Sequence, residues 1–337
     1  MYPKLVINLE KLNHNIRFLI NKMKKHQLSM TAITKLYGAD AQVISVLESY
    51  PEIDYFGDSR IGNLMKLQAS SKKKILIRLP MHSEIHHVIK YVDISFNSEI
   101  ATIRLLNEEA KRQDKKHQIL IMIDLGDLRE GFFKEDDWMV AIAEVTAMSH
   151  IELVGLGVNL MCYGGVIPDE VNLGKLVTYA QRVAKAFDLE LKMISGGNSS
   201  ALYLLDDDDA TLPTGITNLR IGDAFFTGET SLGIKFPEMH GDVFTLEAEI
   251  TSLKVKKERL KGTLALSRQS IDFDSFYPFD ERLVMTDASS DELVLDFTAC
   301  KGAYSVGDIV IFRLHYGAVL QAFTSKYVTK AYVEMRV

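Results

Sequence analysis

Residues 30–59 read MTAITKLYGADAQVISVLESYPEIDYFGDS, and this stretch contains two short β-rich runs separated by a helical one. The first run, 30–34, is largely apolar and β-branched and leads directly into Lys35. In 41–50 the apolar residues recur three and four positions apart, which is the spacing of one helix face. The second run covers 54–59. This order predicts two parallel strands joined by a helix.

The same order continues along the chain. The β-rich runs cover 30–34, 54–59, 74–79, 93–98, 118–126, 152–160, 191–198 and 218–226. Helical stretches such as 98–113 and 173–187 lie between them. Eight strand–helix units in about 200 residues match an α/β fold of the (β/α)8 TIM-barrel type. A doubly wound open sheet is the alternative, but no G-x-G-x-x-G motif follows the first strand.

Two further segments flank the predicted barrel. After about residue 235 the sequence changes to strand-like runs and turns without long helices, which predicts a smaller all-β C-terminal domain. We therefore expect the barrel in residues 1–235 and the β-domain in residues 236–337. The run KLVINL (4–9) precedes the eight barrel strands, so we expect residues 1–10 to join the β-domain. The acidic run 206–209 is interpreted as a solvated loop and not as a metal site.

The composition excludes several classes of function. The chain has 337 residues, a net charge of -6 and a pI near 5.9, so it has no basic excess for binding nucleic acid. Charges within the first apolar stretch argue against a signal peptide, and no apolar run is long enough to span a membrane. Cys162 and Cys300 form neither a disulfide framework nor a zinc-binding spacing. We expect a cytoplasmic protein without a metal ion, acting on a small molecule.

Polar residues stand at the C-terminal ends of the predicted barrel strands, where TIM barrels place their active sites. They are Lys35, Asp58, Ser59, Arg60, Arg78, Asn97, Ser98, Asp124, Arg129, Asn159, residues 195–200, Arg220 and Gly222. Because loops are polar in most proteins, no single member of this set identifies a site. The set as a whole predicts a ligand-binding mouth.

Two of these segments indicate a site for an anion. In SGGNSSALYLL (195–205), Ser199 or Ser200 opens a predicted helix whose free N–H groups suit a phosphate. Gly222 follows the eighth strand, and barrel phosphate sites use the loops after strands seven and eight. For either segment alone an ordinary turn is the simpler explanation. Their positions on adjacent strands favour the phosphate site.

Lys35 is then predicted to face this anion pocket from the end of the first barrel strand. A lysine in that position can form a Schiff base with pyridoxal 5′-phosphate (PLP). A loop lysine engaged in a surface salt bridge is the alternative. Composition and spacing alone do not separate these two interpretations.

The chain also resembles a known family over nearly its whole length. The motifs are TAITKLYG (31–38), DYFGDSRIGNL (54–64), IMIDLGDLREGFF (121–133), GVNLMCYG (157–164), SGGNSSALYLL (195–205), TNLRIGDAFFTGE (217–229) and YGAVLQAFTSKYV (316–328). They resemble the alanine racemase superfamily and, within it, the ornithine racemase group. The resemblance implies a PLP-binding barrel with a β-domain, in a head-to-tail homodimer where each β-domain completes the partner's site. It also implies an isomerase that racemises a free basic amino acid, ornithine or lysine.

The resemblance implies roles for individual residues as well. Lys35 would hold PLP and act as one catalytic base at a resonance-stabilised carbanion. Arg220 would face the pyridine nitrogen and keep it unprotonated, which favours racemisation over side reactions. Arg129 would support the substrate carboxylate and the second base. The other cofactor-binding residues would be Asn159, which stands where the family stacks a histidine on the ring, and the phosphate ligands Ser199, Ser200, Gly222 and Tyr316.

The second catalytic base is where the sequence departs from the family. Racemisation is served most simply by a proton acceptor on each face of the planar carbanion. The family uses a tyrosine of the partner's β-domain, and the matching stretch LALSRQSID (264–272) has none. Cys162, which follows the sixth strand, Asp291 and Tyr37 are the candidates, and Asp291 alternatively binds the distal ammonium of the substrate. A related PLP enzyme with an altered reaction, or a PLP-binding protein without catalysis, is the alternative function.

Overall fold

The computed structural model describes residues 1–205 and 211–334, so the acidic run at 206–209 lies outside the described residues. After a first strand, β1 (Lys4–Asn8), eight parallel strands close into a barrel. These are β2 (Ser29–Ile33), β3 (Ile53–Asp58), β4 (Lys73–Leu76), β5 (Ile94–Asn97), β6 (His117–Ile123), β7 (Ile151–Val158), β8 (Met193–Asn198) and β9 (Asn218–Ile221). Strand β2 pairs with β9 as well as with β3, so the sheet has no free edge. The prediction of a (β/α)8 barrel is confirmed.

Apolar side chains fill the interior of the barrel. The inward-facing cluster consists of Ile75, Ile94, Phe96, Leu120, Met122, Val154 and Met193. None of these side chains is more than 3% exposed. The interior is therefore a packed core and not a channel, which restricts ligands to the ends of the barrel.

Helices cover the outside of the barrel. They are α1 (Leu9–Lys25), α2 (Ala41–Glu48), α3 (Ile61–Lys66), α4 (Ile85–Tyr91), α5 (Ile100–Arg112), α6 (Glu135–Thr146), α7 (Glu170–Phe187) and α8 (Ala224–Thr227). The longer helices are amphipathic and bury one apolar face. Local sequence also fixes where helices begin: Asp169 and Asn172 form a capping box at the start of α7.

The remaining strands form a second, mainly antiparallel sheet. They are β10 (Phe244–Lys256), β11 (Arg259–Leu264), β12 (Phe276–Pro278), β13 (Val284–Ala288), β14 (Leu293–Asp296), β15 (Ile309–Leu314) and β16 (Thr329–Val333). Strand β1 joins this sheet, antiparallel to β10 and parallel to β16. The first strand is therefore hydrogen-bonded within the C-terminal sheet and not within the barrel.

The C-terminal domain also contains an α-helix, α9 (Tyr316–Thr324), which the strand pattern did not predict. Helix α9 packs against the turn after β2, where the rings of Phe323 and Tyr37 lie 6.4 Å apart. Nearby, the hydroxyl of Tyr332 in β16 donates a hydrogen bond of 2.9 Å to Asp40 at the start of α2. The β-domain thus supports the segment of the barrel that carries Lys35.

The described ranges contain neither a helix that could span a membrane nor a cluster of metal-ligating side chains. None of their helices is long and apolar enough to cross a membrane. Within the same ranges no three His, Cys, Asp or Glu side chains are grouped so that they could hold a metal ion.

Candidate active site

A cavity of about 790 Å³ opens at the C-terminal ends of the barrel strands. Its wall contains most of the residues predicted from the sequence, namely Lys35, Arg129, Asn159, Cys162, Ser199, Arg220, Gly222 and Tyr316. The wall also contains residues given no individual role, among them Arg78, Glu130, Asn198, Asp223 and Ser231. Loops distant in sequence therefore converge on one pocket.

Lys35 reaches the cavity because of the turn that follows β2. Residues Lys35–Tyr37 form a single turn of 3₁₀ helix that ends at Gly38, whose φ of +58° favours glycine. Leu36 and Tyr37 are buried, whereas Lys35 is exposed. Burial of its two neighbours anchors the turn and leaves the lysine side chain on the cavity wall.

A buried carboxyl group, Asp58 at the end of β3, ties the strand ends together near Lys35. Thr34 Oγ1 donates a hydrogen bond of 2.5 Å to Asp58, and the Arg60 amide donates one of 2.8 Å. Burial raises the pKa of Asp58, while these bonds and the nearby charge of Lys35 oppose that rise. Asp58 therefore acts as a structural link between β2 and β3 at the edge of the site.

Arg220, on β9, is a buried cation at the base of the cavity. Its NH1 donates to Ser195 Oγ at 2.6 Å, and its NH2 donates to the carbonyl of Val158 at 2.9 Å and to Asn159 Oδ1. The guanidinium also lies 5.3 Å from the centre of the Phe96 ring. Burial lowers the pKa of Arg220 to about 10, so the group stays charged near neutral pH. Arg220 is thus a fixed positive charge.

Glu130 is a member of the site that the sequence analysis missed. Its carboxylate accepts hydrogen bonds from both the Nε and NH2 of Arg129 and from the side-chain amide of Asn159. Burial opposes its ionisation, but the bonds from Arg129 and Asn159 prevail and leave the pKa of Glu130 below its ordinary value. Since Asn159 also accepts from Arg220, one chain of hydrogen bonds connects the two arginines.

The segment predicted to bind an anion is built from backbone and hydroxyl groups. Ser199 starts the 3₁₀ helix Ser199–Leu205, and its Oγ accepts a hydrogen bond of 3.2 Å from the amide of Gly222. Asn198 Oδ1 accepts from the amide of Ser200 at 2.8 Å. The Ser200 hydroxyl is buried and has no partner among the described residues. Hydrogen-bond donors from two adjacent strand ends are therefore grouped here.

Cys162 lies in the loop after β7, on the cavity wall, and its side chain is exposed. Asn198 Nδ2 lies 3.3 Å from its sulfur. The buried carboxylate of Asp127 holds this loop by accepting hydrogen bonds from the amides of Cys162, Tyr163 and Gly164. Asp127, a second residue that the sequence analysis did not identify, thus links the loops after β6 and β7.

Three predicted residues from outside the barrel strands lie in different environments. Tyr316, the first residue of α9, lies on the cavity wall, and burial raises its pKa to about 12. Tyr37 is fully buried against Phe226 and Phe323, and burial raises the pKa of its hydroxyl well above the ordinary value. Asp291 is exposed on the turn between β13 and β14 and is not part of the cavity wall of its own chain.

The fold and the cavity define a class of protein: a (β/α)8 barrel with an added β-domain and a pocket lined by a lysine and several arginines. The model of the alanine racemase N-terminal domain matches residues 7–229 of the chain. Ornithine racemase from Acetoanaerobium sticklandii is 42% identical, with alignment over 98% of this chain and 99% of that protein. Lysine racemase from Thermotoga maritima is 30% identical, over 98% and 99% of the two chains. The chain belongs to the alanine racemase family.

Solved structures show the same fold. Alanine racemase from Clostridium difficile 630 superposes with a TM-score of 0.79 at 16% identity, covering 99% of this chain and 96% of that one. Alanine racemase from Bartonella henselae, solved with covalently bound pyridoxal phosphate, gives a TM-score of 0.76 at 16% identity, with 98% of both chains covered. The predicted family resemblance and the predicted fold are both confirmed.

Proposed function

We propose that this protein is a PLP-dependent racemase that interconverts the L and D forms of a free basic amino acid, ornithine or lysine. The two relatives named for those amino acids align with 98% of this chain. The structural observation that best supports the proposal is that Lys35 and the buried Arg220 line one cavity. An amine, a fixed cation and an anion site at one barrel mouth are what a PLP-dependent reaction requires.

The residues around the anion site fit PLP. When bound, PLP supplies an electron sink that stabilises negative charge at the substrate's α-carbon. Ser199, Ser200, Gly222 and Tyr316 are the residues that would hold its phosphate. The Ser200 hydroxyl supports this assignment, because a buried hydroxyl without a partner is rare and a phosphate oxygen is a suitable acceptor.

Arg220 is the residue that would stand at the ring nitrogen of the cofactor. A fixed guanidinium disfavours protonation of a neighbouring nitrogen, because it adds a like charge to the protonated form. Its bonds to Ser195, Val158 and Asn159 hold the guanidinium in place. Asn159 in turn is held by Glu130, so the position of Arg220 depends on residues beyond its own strand.

Lys35 and Arg129 would act on the substrate. Lys35 is the residue that would hold the cofactor and move a proton on one face of the α-carbon. Arg129 carries a positive charge on the cavity wall and would bind the substrate carboxylate. Its pairing with Glu130 fixes the direction of the guanidinium and raises its pKa, so Arg129 stays charged.

Cys162 is the residue that we assign as the second base. Its side chain is exposed on the cavity wall, which it shares with Arg129 and Arg220. A side chain positioned there can move a proton on the face of the substrate opposite Lys35. Asp291 is the alternative, reaching the site from the partner in a head-to-tail homodimer. The complete burial of Tyr37 argues against that residue as a base.

The proposal also covers the localisation of the protein, its oligomeric state and the roles of its two domains. The protein would be a cytoplasmic homodimer in which the β-domain, residues 236–337, completes the site formed by residues 1–235 of its partner. The absence of the family tyrosine from 264–272 favours one alternative, a related PLP enzyme whose reaction differs from full racemisation.

The experiment follows α-proton exchange and inversion separately. Purified enzyme is incubated with PLP and L-ornithine, L-lysine or L-alanine in deuterated water. Deuterium uptake is read by NMR and inversion by chiral chromatography. Racemisation of ornithine or lysine, lost in Lys35→Ala, is expected. Borohydride treatment followed by peptide mapping should place the pyridoxyl group on Lys35. No exchange with any amino acid by PLP-loaded enzyme contradicts the racemase proposal, and exchange without inversion supports the altered reaction.

A further inference from the structure

Two carboxylates lie on the cavity wall, counting the part of the chain that the structure describes: Glu130 and Asp223. The charge of Glu130 is already matched, because Arg129 binds both of its oxygens and Asn159 donates a further hydrogen bond. Asp223 is therefore the carboxylate of this cavity whose charge is not matched by a cation among the described residues.

Asp223 follows Gly222 and caps helix α8. One oxygen accepts from the amide of Ala224 at 3.0 Å, and the other accepts from Ser231 Oγ at 2.9 Å. Both donors are neutral, and within residues 1–205 and 211–334 no lysine, arginine or histidine forms an ion pair with Asp223. A half-buried carboxylate bound only by neutral donors favours the arrival of a cation.

The three arginines on the cavity wall are committed to other partners, and Lys35, the fourth cation there, is the residue proposed to hold the cofactor. Arg78 pairs with Glu84 at 2.6 Å, and Arg129 pairs with Glu130. Arg220 is fixed at the base by Ser195 and Asn159. A positive charge for Asp223 would therefore arrive with a ligand and not from the described cavity wall.

The position of Asp223 next to the anion site adds to this requirement. Gly222, one residue earlier, belongs to the group proposed to hold a phosphate. A carboxylate beside a bound phosphate concentrates negative charge, and a ligand cation between or beside them would relieve the repulsion. Tyr316 lies close enough to Asp223 for its pKa to be raised by the carboxylate, so a hydroxyl is also available in this corner.

We propose that Asp223 is a specificity-determining residue that receives the distal ammonium of a basic amino-acid substrate. This inference rests on the proposed function, and it assigns the recognition of the side-chain charge to the barrel and not to Asp291 of the β-domain. An amino acid of the same length without the ammonium would leave Asp223 with its neutral donors only.

The test compares L-ornithine with L-norvaline, which has the same carbon chain and lacks the distal ammonium. PLP-loaded wild-type enzyme, Asp223→Asn and Asp291→Asn are assayed for α-proton exchange with both amino acids. Asparagine keeps the helix-capping ability of aspartate and removes its charge. We expect Asp223→Asn to lower kcat/KM for ornithine about 10- to 100-fold, with norvaline little changed. Asp136→Asn, at an exposed position on α6, is the matched control and should alter neither substrate.

Calorimetric binding of the same two amino acids supplies a readout independent of turnover. Ornithine should bind wild-type enzyme more tightly than norvaline, and Asp223→Asn should remove that difference. Equal losses for both amino acids, or an ornithine-specific loss in Asp291→Asn alone, would overturn the assignment of Asp223. If wild-type enzyme exchanges neither substrate, the proposed function fails, and the calorimetric comparison still decides whether Asp223 selects an ammonium.

Discussion

Asn159 Oδ1 accepts a hydrogen bond from Arg220 NH2 at the base of the cavity. The same side chain donates from its Nδ2 to Glu130, so it uses its acceptor on one charged partner and its donor on the other. The position of Arg220 on β9 therefore depends on Asn159, which directly follows β7.

We expect Asn159→Ala to remove one hydrogen-bond partner from Arg220 and one from Glu130. Loss of hydrogen bonds to charged groups costs about 1.5–3 kcal/mol each, so both unfolding free energy and PLP affinity should fall. Urea unfolding and PLP titration measure the two effects. Asn107→Ala on α5, at a position that is not on the cavity wall, serves as the comparison for PLP affinity. Unchanged PLP affinity in Asn159→Ala would contradict the proposed role of the Asn159–Arg220 bond.

The assignment of Cys162 predicts a separation of exchange from inversion. In Cys162→Ala the base on one face is lost while Lys35 remains, so deuterium should enter the α-carbon with retention and inversion should fall about 100-fold or more. Cys162→Ser keeps the size of the side chain and should behave like the alanine variant, because a hydroxyl is a much weaker acid than a thiol. Loss of inversion in Asp291→Asn, with Cys162→Ala still racemising, would assign the second base to Asp291.

Gly131 is expected to control the position of the Arg129–Glu130 pair. Its φ is +117°, and a Cβ there would stand 2.6 Å from the amide nitrogen of Asp124. We predict that Gly131→Ala lowers the unfolding free energy by about 1–3 kcal/mol and raises KM through displacement of Arg129. Gly174→Ala is the matched control, because Gly174 lies within α7 with open space around it. That change should stabilise the protein by about 0.5–1 kcal/mol. Similar stability of the two variants would be evidence against the prediction.

Because of His117, we expect the free energy of unfolding to decrease at mildly acidic pH. Its side chain is buried at the start of β6, its Nε2 lies 2.8 Å from Ser95 Oγ, and burial lowers its pKa to about 4. The unfolded chain binds a proton near pH 6.5, whereas the native state stays neutral to about pH 4. Stability is therefore complete above pH 6.5 and falls by about 3 kcal/mol as the pH drops through this window. Urea unfolding between pH 7.5 and 4.5 measures it, and His117→Asn should show a smaller loss over the same range. Parallel pH profiles for the two proteins would refute the prediction.

The barrel could be predicted because each strand has a recognisable pattern in its own local sequence. Each of the eight β-rich runs overlaps one barrel strand, since a short apolar run bounded by polar residues and followed by a helical period leaves few alternatives. The residues at strand ends, such as Lys35 and Arg220, followed from the same count. Helix α9 did not, because a segment of nine residues with a glycine near its start carries too little periodicity to be distinguished from the strands around it.

The members of the site that were missed have another explanation. Glu130 and Asp223 are charged loop residues beside predicted ones, and they are singled out by contacts with Asn159, 29 residues further on, and with Ser231, 8 residues further on. No local pattern encodes such contacts. For Tyr37 the sequence permitted a place in the site, but two residues along a 3₁₀ turn rotate the side chain away from the direction of Lys35 and into the core.

The pairing of β1 with both β10 and β16 means that a fragment containing only the barrel would lack the partners of its first strand. The first strand is covalently tied to the barrel through α1, yet its hydrogen bonds belong to the sheet made by the last hundred residues. A fragment ending near residue 235 would carry β1 with the side chains of Leu5 and Ile7 uncovered and an unpaired backbone edge, which promotes aggregation. During synthesis β1 is made before β10 and β16, so its pairing is completed only after both of these strands have been synthesised.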